Sequence, residues 1–327
     1  MEQLTLLPGA LLPWYQENKR LLPWRRDREP YHVWLSEIML QQTRVEAVKG
    51  YYVRFLSELP SVGALAACDD DKLHKLWEGL GYYSRVRNLK KAARIIVEKY
   101  GGVFPGEHDL VRALPGIGDY TAGAICSICF DLPTPGVDGN VLRVISRICN
   151  DATPIDDARY KKHVQQLLAD IYPPQAGDFT QALMELGATL CGPNRAPQCG
   201  GCPCRDFCRA KAAGTALSLP VKAPKKAKKQ EKRTVFILSC GDSYALQKRP
   251  DSGLLAGLWE FPNVEGELSE KEAPAILKSW GLTAKNWSRK LTAKHIFTHV
   301  EWHMTGYVLE VSGEGPEEFL WVNEEGM

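Results

Sequence analysis

The chain has 327 residues, 44% of them hydrophobic and 24% charged, with a net charge of +2, a make-up that excludes disorder throughout and gives length for two domains with cores of their own. No apolar run reaches the eighteen or so residues of a membrane span, and the opening residues lack the basic, apolar and small-residue order of a secretion signal, so an intracellular, cytoplasmic location is expected. The charge is divided: residues 234–327 hold 8 Lys and Arg against 14 Asp and Glu, leaving 33 against 25 in residues 1–233, and the basic part is the expected partner for phosphate.

From Val33 to Leu217 apolar residues recur at helical spacing, as in Val45, Val48, Tyr52 and Phe55, with short Pro and Gly breaks. This predicts an all-helical region. Within it, Glu37 is enclosed by Val33-Trp-Leu-Ser36 and Ile38-Met-Leu40. An apolar setting disfavours the charged carboxylate, and a carboxyl that stays protonated near neutral pH can act as a general acid. An ordinary exposed Glu on an amphipathic helix is the plain alternative.

Next comes Leu114-Pro-Gly-Ile-Gly118, between a helix containing Asp109 to Ala113 and another running from Tyr120 through Phe130. Its glycines permit a sharp turn and close approach, and the amides opening the next helix suit an anion such as a DNA phosphate. A simple turn between helices is the alternative. Asp138, in Pro135-Gly-Val-Asp-Gly-Asn140 before the helix Val141 to Ile148, reads either as an N-cap or as a carboxylate facing a cationic sugar as its glycosidic bond breaks. Two carboxyls in contrasting settings, one dry and one on a loop, divide acid and ion-stabilising roles in glycoside-cleaving enzymes.

Five of the ten cysteines lie between Cys191 and Cys208, which points to a metal or cluster site rather than to a disulfide framework. Cys191, Cys199, Cys202 and Cys208, in a loop with Arg195, Arg205, Arg209 and Lys211, can hold one [4Fe-4S] cluster or one zinc ion. Spacing alone leaves both open. Residues 219–233 read as a basic linker, because Pro220 to Arg233 carries seven Lys and Arg and one Glu and cannot bury a face. Beyond it, short apolar runs separated by turn residues, with one helix from Ser269 to Trp280, predict an α+β module over 234–327.

Several of these segments, Ser36-Glu-Ile-Met-Leu-Gln-Gln-Thr-Arg-Val45, Leu80-Gly-Tyr-Tyr-Ser-Arg85, the 114–118 turn with Tyr120-Thr-Ala-Gly123, and Val137-Asp-Gly-Asn-Val141, resemble the MutY family of adenine DNA glycosylases, and the match extends over nearly the whole chain. The resemblance implies a helix-hairpin-helix six-helix barrel at about 24–133. It also implies a helical [4Fe-4S] domain from about 1–23 and 134–218, with Cys191, Cys199, Cys202 and Cys208 as ligands, and a Nudix-like C-terminal domain. The implied partner of this monomer is double-stranded DNA holding adenine opposite 8-oxoguanine or guanine, with the adenine rotated out of the duplex.

By the same resemblance Glu37 protonates adenine at N7, Asp138 stabilises or transiently bonds the oxocarbenium carbon before water attacks, and Tyr120 and Asn140 position Asp138 and the water. Adenine contacts fall on Arg20, Trp24, Arg25, Leu40, Val45 and Gln181. DNA contacts fall on Leu114, Gly116 and Gly118, with Gln42 and Tyr82 entering the base stack. The sister family of endonuclease III has a nucleophilic lysine where Tyr120 stands; a phenol cannot form an imine, so little lyase activity is expected.

The C-terminal module resembles the family's Nudix-like domain through Gly253-Leu-Leu-Ala-Gly-Leu-Trp-Glu-Phe-Pro262 and Lys294 to Trp302. Its helix lacks the acidic cluster that holds Mg²⁺ in Nudix hydrolases. Recognition of 8-oxoguanine by Phe297, Thr298 and His299 is therefore expected in place of hydrolysis. The chain departs from the family in having seven residues between Cys191 and Cys199 where six are usual, a fifth thiol at Cys204, Thr298 in place of Ser, and an end at Met327 that suggests a shortened C-terminus. Two other readings are a nucleotide pyrophosphohydrolase built on the C-terminal module and a non-enzymatic iron-sulfur DNA-binding protein. Release of free adenine from a duplex separates all three.

Overall fold

The computed structural model describes residues 2–193, 195–224, 227–250 and 252–323. They fall into two compact units, Met1–Pro224 and Lys225–Met327. The first is helical: α1 (Glu2–Thr5), α2 (Leu7–Asn18), α3 (Pro30–Leu40), α4 (Val45–Glu58), α5 (Val62–Ala67), α6 (Asp70–Trp77), α7 (Ser84–Tyr100), α8 (His108–Arg112), α9 (Asp119–Phe130), α10 (Gly139–Cys149), α11 (Ala158–Ala169), α12 (Ala176–Ala188) and α13 (Arg209–Ala212).

Two helices are central. Pro30 presets the backbone at the first turn of α3, and Tyr31 together with every residue from Val33 to Met39 is buried, as expected of a helix packed on all sides. In α9 the residues from Thr121 to Ile128 are all buried. Its small side chains let neighbours come close: a Cβ on Gly123 would lie 2.5 Å from the Pro135 carbonyl oxygen. The apolar residues form two cores, one from Leu22 to Ile128 and one joining Leu4, Leu7, Leu11 and Tyr15 to Val137 through Cys204. The N-terminal helices thus pack with α10 and α12, and the passage between the cores carries α9 to the Asp138 turn.

Between α8 and α9 the chain turns at Gly116, whose φ of +78° is costly for other residues and where a Cβ would stand 2.7 Å from Asn88 Cβ. Leu114, expected as a DNA contact, is buried at 3% exposure. Its side chain anchors the turn in the core, leaving only its backbone to meet a partner.

The second unit is a sheet of seven strands, β1 (Lys229–Cys240), β2 (Ser243–Lys248), β3 (Trp259–Glu260), β4 (Asn263–Glu265), β5 (Thr283–Ile296), β6 (Val300–Ser312) and β7 (Phe319–Asn323), with one helix, α14 (Ala273–Ser279). The order is β3-β2-β1-β6-β5, with β4 beside β1 and β7 beside β2. β1 and β6 run parallel, from Lys229 opposite Val300 to Ser239 opposite Glu310, and the other pairs are antiparallel. Ala273 and Leu277 of α14 pack on Phe236, Leu238, Tyr307, Leu309 and Val311.

Two expectations are corrected here. The linker is shorter than 219–233: Leu219 is buried, Arg147 Nε donates to its carbonyl at 3.0 Å, and the Ile155 amide donates to Val221 O at 3.0 Å. Lys229 to Arg233 belong to β1. Main-chain hydrogen bonding needs no apolar side chains, so a charged composition conceals a strand; Lys225 and Lys226 lie outside the described residues, as do 324–327 of the C-terminal module. The helix expected at Ser269–Trp280 begins only at Ala273, because the Glu272 carboxylate accepts from the Ser269 amide and hydroxyl and closes a turn ahead of it. Among the described residues no helix is long and apolar enough to cross a membrane.

Candidate active site

A cavity of about 670 Å³ opens in the helical unit where α3, α9, α12 and the N-terminus of α10 meet, a size suited to a small ligand or an extruded base. Its walls include Arg20, Trp24, Arg25, Glu37, Leu40, Gln42, Val45, Gly118, Tyr120, Asp138, Asn140 and Gln181. Residues as far apart in sequence as Arg20 and Ala188, 168 positions, thus share one pocket.

Glu37, on α3, is 7% exposed, and its Oε2 accepts a hydrogen bond from the Tyr120 hydroxyl of α9 at 2.5 Å. Burial raises its pKa to about 7, with the negative charge of Asp138 adding to the rise and the Tyr120 hydrogen bond and the Arg25 charge opposing it. Desolvation therefore wins over the bonds that favour the charged form. Tyr120, half-buried beside two carboxyls, is held far above its ordinary pKa by desolvation and by their charge, and stays a donor. Its partner differs from the expected one, since the hydroxyl reaches Glu37 and not Asp138.

Asp138 fills both roles left open by its sequence. It caps α10, with Oδ1 accepting from the Asn140 and Val141 amides at 2.8 Å each, and it also lines the cavity. Burial raises its pKa, opposed by the amides of Val141 and Asn140 and by the Asn140 side chain, whose Nδ2 donates to Oδ2 at 2.6 Å. Arg143, one turn on, donates to Asn140 Oδ1 at 2.8 Å and so fixes which end of that amide faces Asp138. Asp138 and Asn140 also border a second cavity of about 570 Å³, lined by Arg143, Arg147, Arg195 and Lys222.

At the rim, Gln42 and Tyr82 have φ values of 58° and 50°, a left-handed conformation that non-glycine residues seldom adopt. Both turns are tied to Arg85. Its Nη1 donates to the carbonyls of Ile38, Met39 and Gln41, and its Nη2 to those of Leu80 and Gly81, at 2.6 to 3.1 Å. Tyr82 is 48% exposed and lies outside the cavity wall, whereas Gln42 is part of it.

Cys191, Cys199, Cys202, Cys204 and Cys208 ring one small cavity beside α10. Arg147 Nη1 lies 3.2 Å from Cys191 Sγ, a donor suited to a thiolate. Among the described residues no three His, Cys, Asp or Glu side chains converge as they would around one metal ion. In the other unit, Phe297 packs on Trp302 with ring centres 4.9 Å apart, leaving Thr298 and His299 exposed in the turn between β5 and β6.

Sequence reasoning passed over Arg85, Arg143 and Glu185, the last fully buried against Arg20 and Arg25. A charged residue inside an otherwise apolar helical run is the signal that could have found Glu185.

Residues 35–174 match the family described as HhH-GPD superfamily base excision DNA repair protein, and residues 234–327 match the NUDIX domain. The chain is 37% identical to an adenine DNA glycosylase of Rattus norvegicus, over 96% of this chain and 72% of that protein. It is 36% identical to that of Homo sapiens, over 96% and 68%, and 32% identical to that of Schizosaccharomyces pombe, over 96% and 84%. Among solved structures, a thermostable thymine-DNA glycosylase superposes with a TM-score of 0.58 at 26% identity, covering 65% of this chain and 98% of that one. A non-covalent endonuclease III–DNA complex gives 0.54 at 23% identity over 64% and 94%, a likeness of fold alone.

Proposed function

Because the chain belongs to the adenine DNA glycosylase family of base-excision repair proteins, we propose that it hydrolyses the N-glycosidic bond of adenine mispaired with 8-oxoguanine or guanine and leaves the DNA strand uncut. One observation carries the reading: Glu37 and Asp138 line the same pocket with different surroundings. Glu37, with a pKa near 7, can hold a proton for the base, while Asp138 is kept as an acceptor by two amides and Asn140.

In the proposed reaction adenine, extruded into the pocket, takes the Glu37 proton at N7. The bond between N9 and the sugar C1′ then breaks, and its electron pair leaves with the base. Asp138 faces the positive charge that develops on C1′, where a preorganised carboxylate is worth most. Water adds to that carbon and gives its proton to the Glu37 carboxylate, which the first step left ionised, so the acid is restored. Asn140, oriented by Arg143, fixes the carboxylate. The second cavity, with three arginines and a lysine on its wall, suits the flanking phosphates. Leu114 to Gly118 contribute backbone amides at the start of α9 for another phosphate, and Gln42 and Tyr82 fill the opened stack. With Tyr120 where the lyase family has its lysine, that position offers no amine for an imine; Lys161 is the one lysine on the wall of this cavity among the described residues.

Cys191, Cys199, Cys202 and Cys208 are the proposed ligands of a [4Fe-4S] cluster. A zinc ion would need four sulfurs each about 2.3 Å from one point; thiols spread around a cavity suit the wider reach of a four-iron core. When bound, the cluster supplies cross-links that hold this loop. Phe297, Thr298 and His299 are the proposed reader of the base opposite adenine.

The test is to incubate the whole chain with duplexes carrying adenine opposite 8-oxoguanine, guanine, cytosine or thymine. Free adenine and strand cleavage are scored separately, without and with alkali. Adenine release from the first two, with cleavage only after alkali, supports the reading; strand cutting that keeps pace with base release contradicts the monofunctional assignment.

A further inference from the structure

Glu185 of α12 is 0% exposed, yet it is a carboxylate. Its Oε1 accepts from Arg20 Nε at 2.6 Å, and its Oε2 accepts from Arg20 Nη2 at 2.9 Å and from Arg25 Nη2 at 2.8 Å. The Arg20 amide adds a longer contact at 3.3 Å. Both arginines line the pocket beside Gln181, one helical turn before Glu185, whereas Glu185 itself lies behind the wall. Two guanidiniums in a half-closed pocket with no counter-charge make a site for a phosphate or carboxylate.

We infer that Glu185 is a positioning residue that converts Arg20 and Arg25 from an anion site into a wall of fixed donors for a neutral purine. The inference rests on the reading of this cavity as a base pocket. The forked pair with Arg20 leaves Nη1 of that residue for the ring nitrogens of adenine, which are acceptors. Cancelling one of the two positive charges removes the reward for admitting an anion.

A second consequence concerns Glu37. It faces Tyr120 from α9, Asp138 from the cap of α10 and Arg25 from the turn at Pro23–Arg25. Cys129 senses its charge, and Arg20, Asp119 and Lys161 line the same cavity. Arg25 favours the ionised form of Glu37. With Glu185 neutralised that pull grows, and the acid loses its proton at lower pH.

The test uses Glu185→Gln in the whole chain, which keeps shape and one acceptor. Adenine release is expected to slow about tenfold. The pH at which the rate falls on the alkaline side should move down by roughly one unit. Inorganic phosphate should inhibit the variant at concentrations that leave the wild type untouched, and duplex binding should be no weaker. Adding Arg20→Met restores the charge balance, so the double variant should regain the wild-type alkaline limb and phosphate tolerance while staying slow. If Glu185→Gln alone fails to fold, the double variant is compared with Arg20→Met, and its limb should lie lower. An unchanged limb and unchanged phosphate response in these comparisons overturns the inference. A wild type that releases no adenine overturns the base-pocket reading instead, so the two failures are distinct.

Discussion

The Tyr120 hydroxyl donates to Glu37 Oε2 at 2.5 Å, joining α9 to α3 at the floor of the pocket. This bond favours the ionised carboxylate, and burial opposes it. Tyr120→Phe removes the bond and keeps the ring. Glu37 should then hold its proton to higher pH, and the alkaline limb of adenine release should move upward. A pH–rate profile under single turnover reads this directly, and a limb that moves downward contradicts the account.

The pKa of Glu37 rises from 4.5 to about 7 on folding. Its contribution to stability is therefore complete below pH 4.5 and is lost as the pH rises through 7, at a cost of about 3 kcal/mol for the ionised form. Glu37→Gln has no such cost. Its stability relative to wild type, from urea unfolding, should improve by about that amount between pH 4.5 and pH 8. A difference independent of pH would mean that Glu37 is not desolvated.

Arg85 holds the turns of Gln42 and Tyr82 through carbonyls on both. Lysine keeps the charge but cannot fan its donors over two turns. Arg85→Lys should lose roughly 2 to 4 kcal/mol of stability, and hydrogen exchange at residues 41–43 and 80–82 should speed up together. Faster exchange at only one turn would show that they are independent.

If the five-cysteine cavity holds a four-iron cluster, the purified chain should be brown and contain about four irons. Cys191→Ser, which removes the thiol that Arg147 contacts, should lose iron and colour. One zinc per chain and no visible absorbance would replace the cluster with a structural ion.

Much of the pocket could be read from sequence because its chemistry is local. Glu37 sits in a stretch, Val33 to Leu40, that is apolar apart from Ser36 and itself, Asp138 precedes a helix in a glycine-flanked turn, and the hairpin and cysteine loop are contiguous. What could not be read depends on pairs brought together by the fold. Glu185 is 165 residues from Arg20, and Arg85 reaches Ile38 across 47. Tyr120 gave no sign of preferring Glu37 to Asp138, because helix packing sets where its hydroxyl points. The basic 229–233 segment looked like a linker because its structure comes from backbone pairing with β6.

The most direct measurement is single-turnover release of adenine from a duplex with adenine opposite 8-oxoguanine, by wild type, Glu37→Gln and Asp138→Asn, alongside binding of the same duplex. Asparagine still caps a helix and glutamine still fills the Glu37 site, so both variants should fold and bind DNA near the wild-type level. Base release should fall about a hundredfold or more in each. Release at the wild-type rate by either variant would contradict a mechanism in which one carboxyl donates the proton and the other faces the sugar.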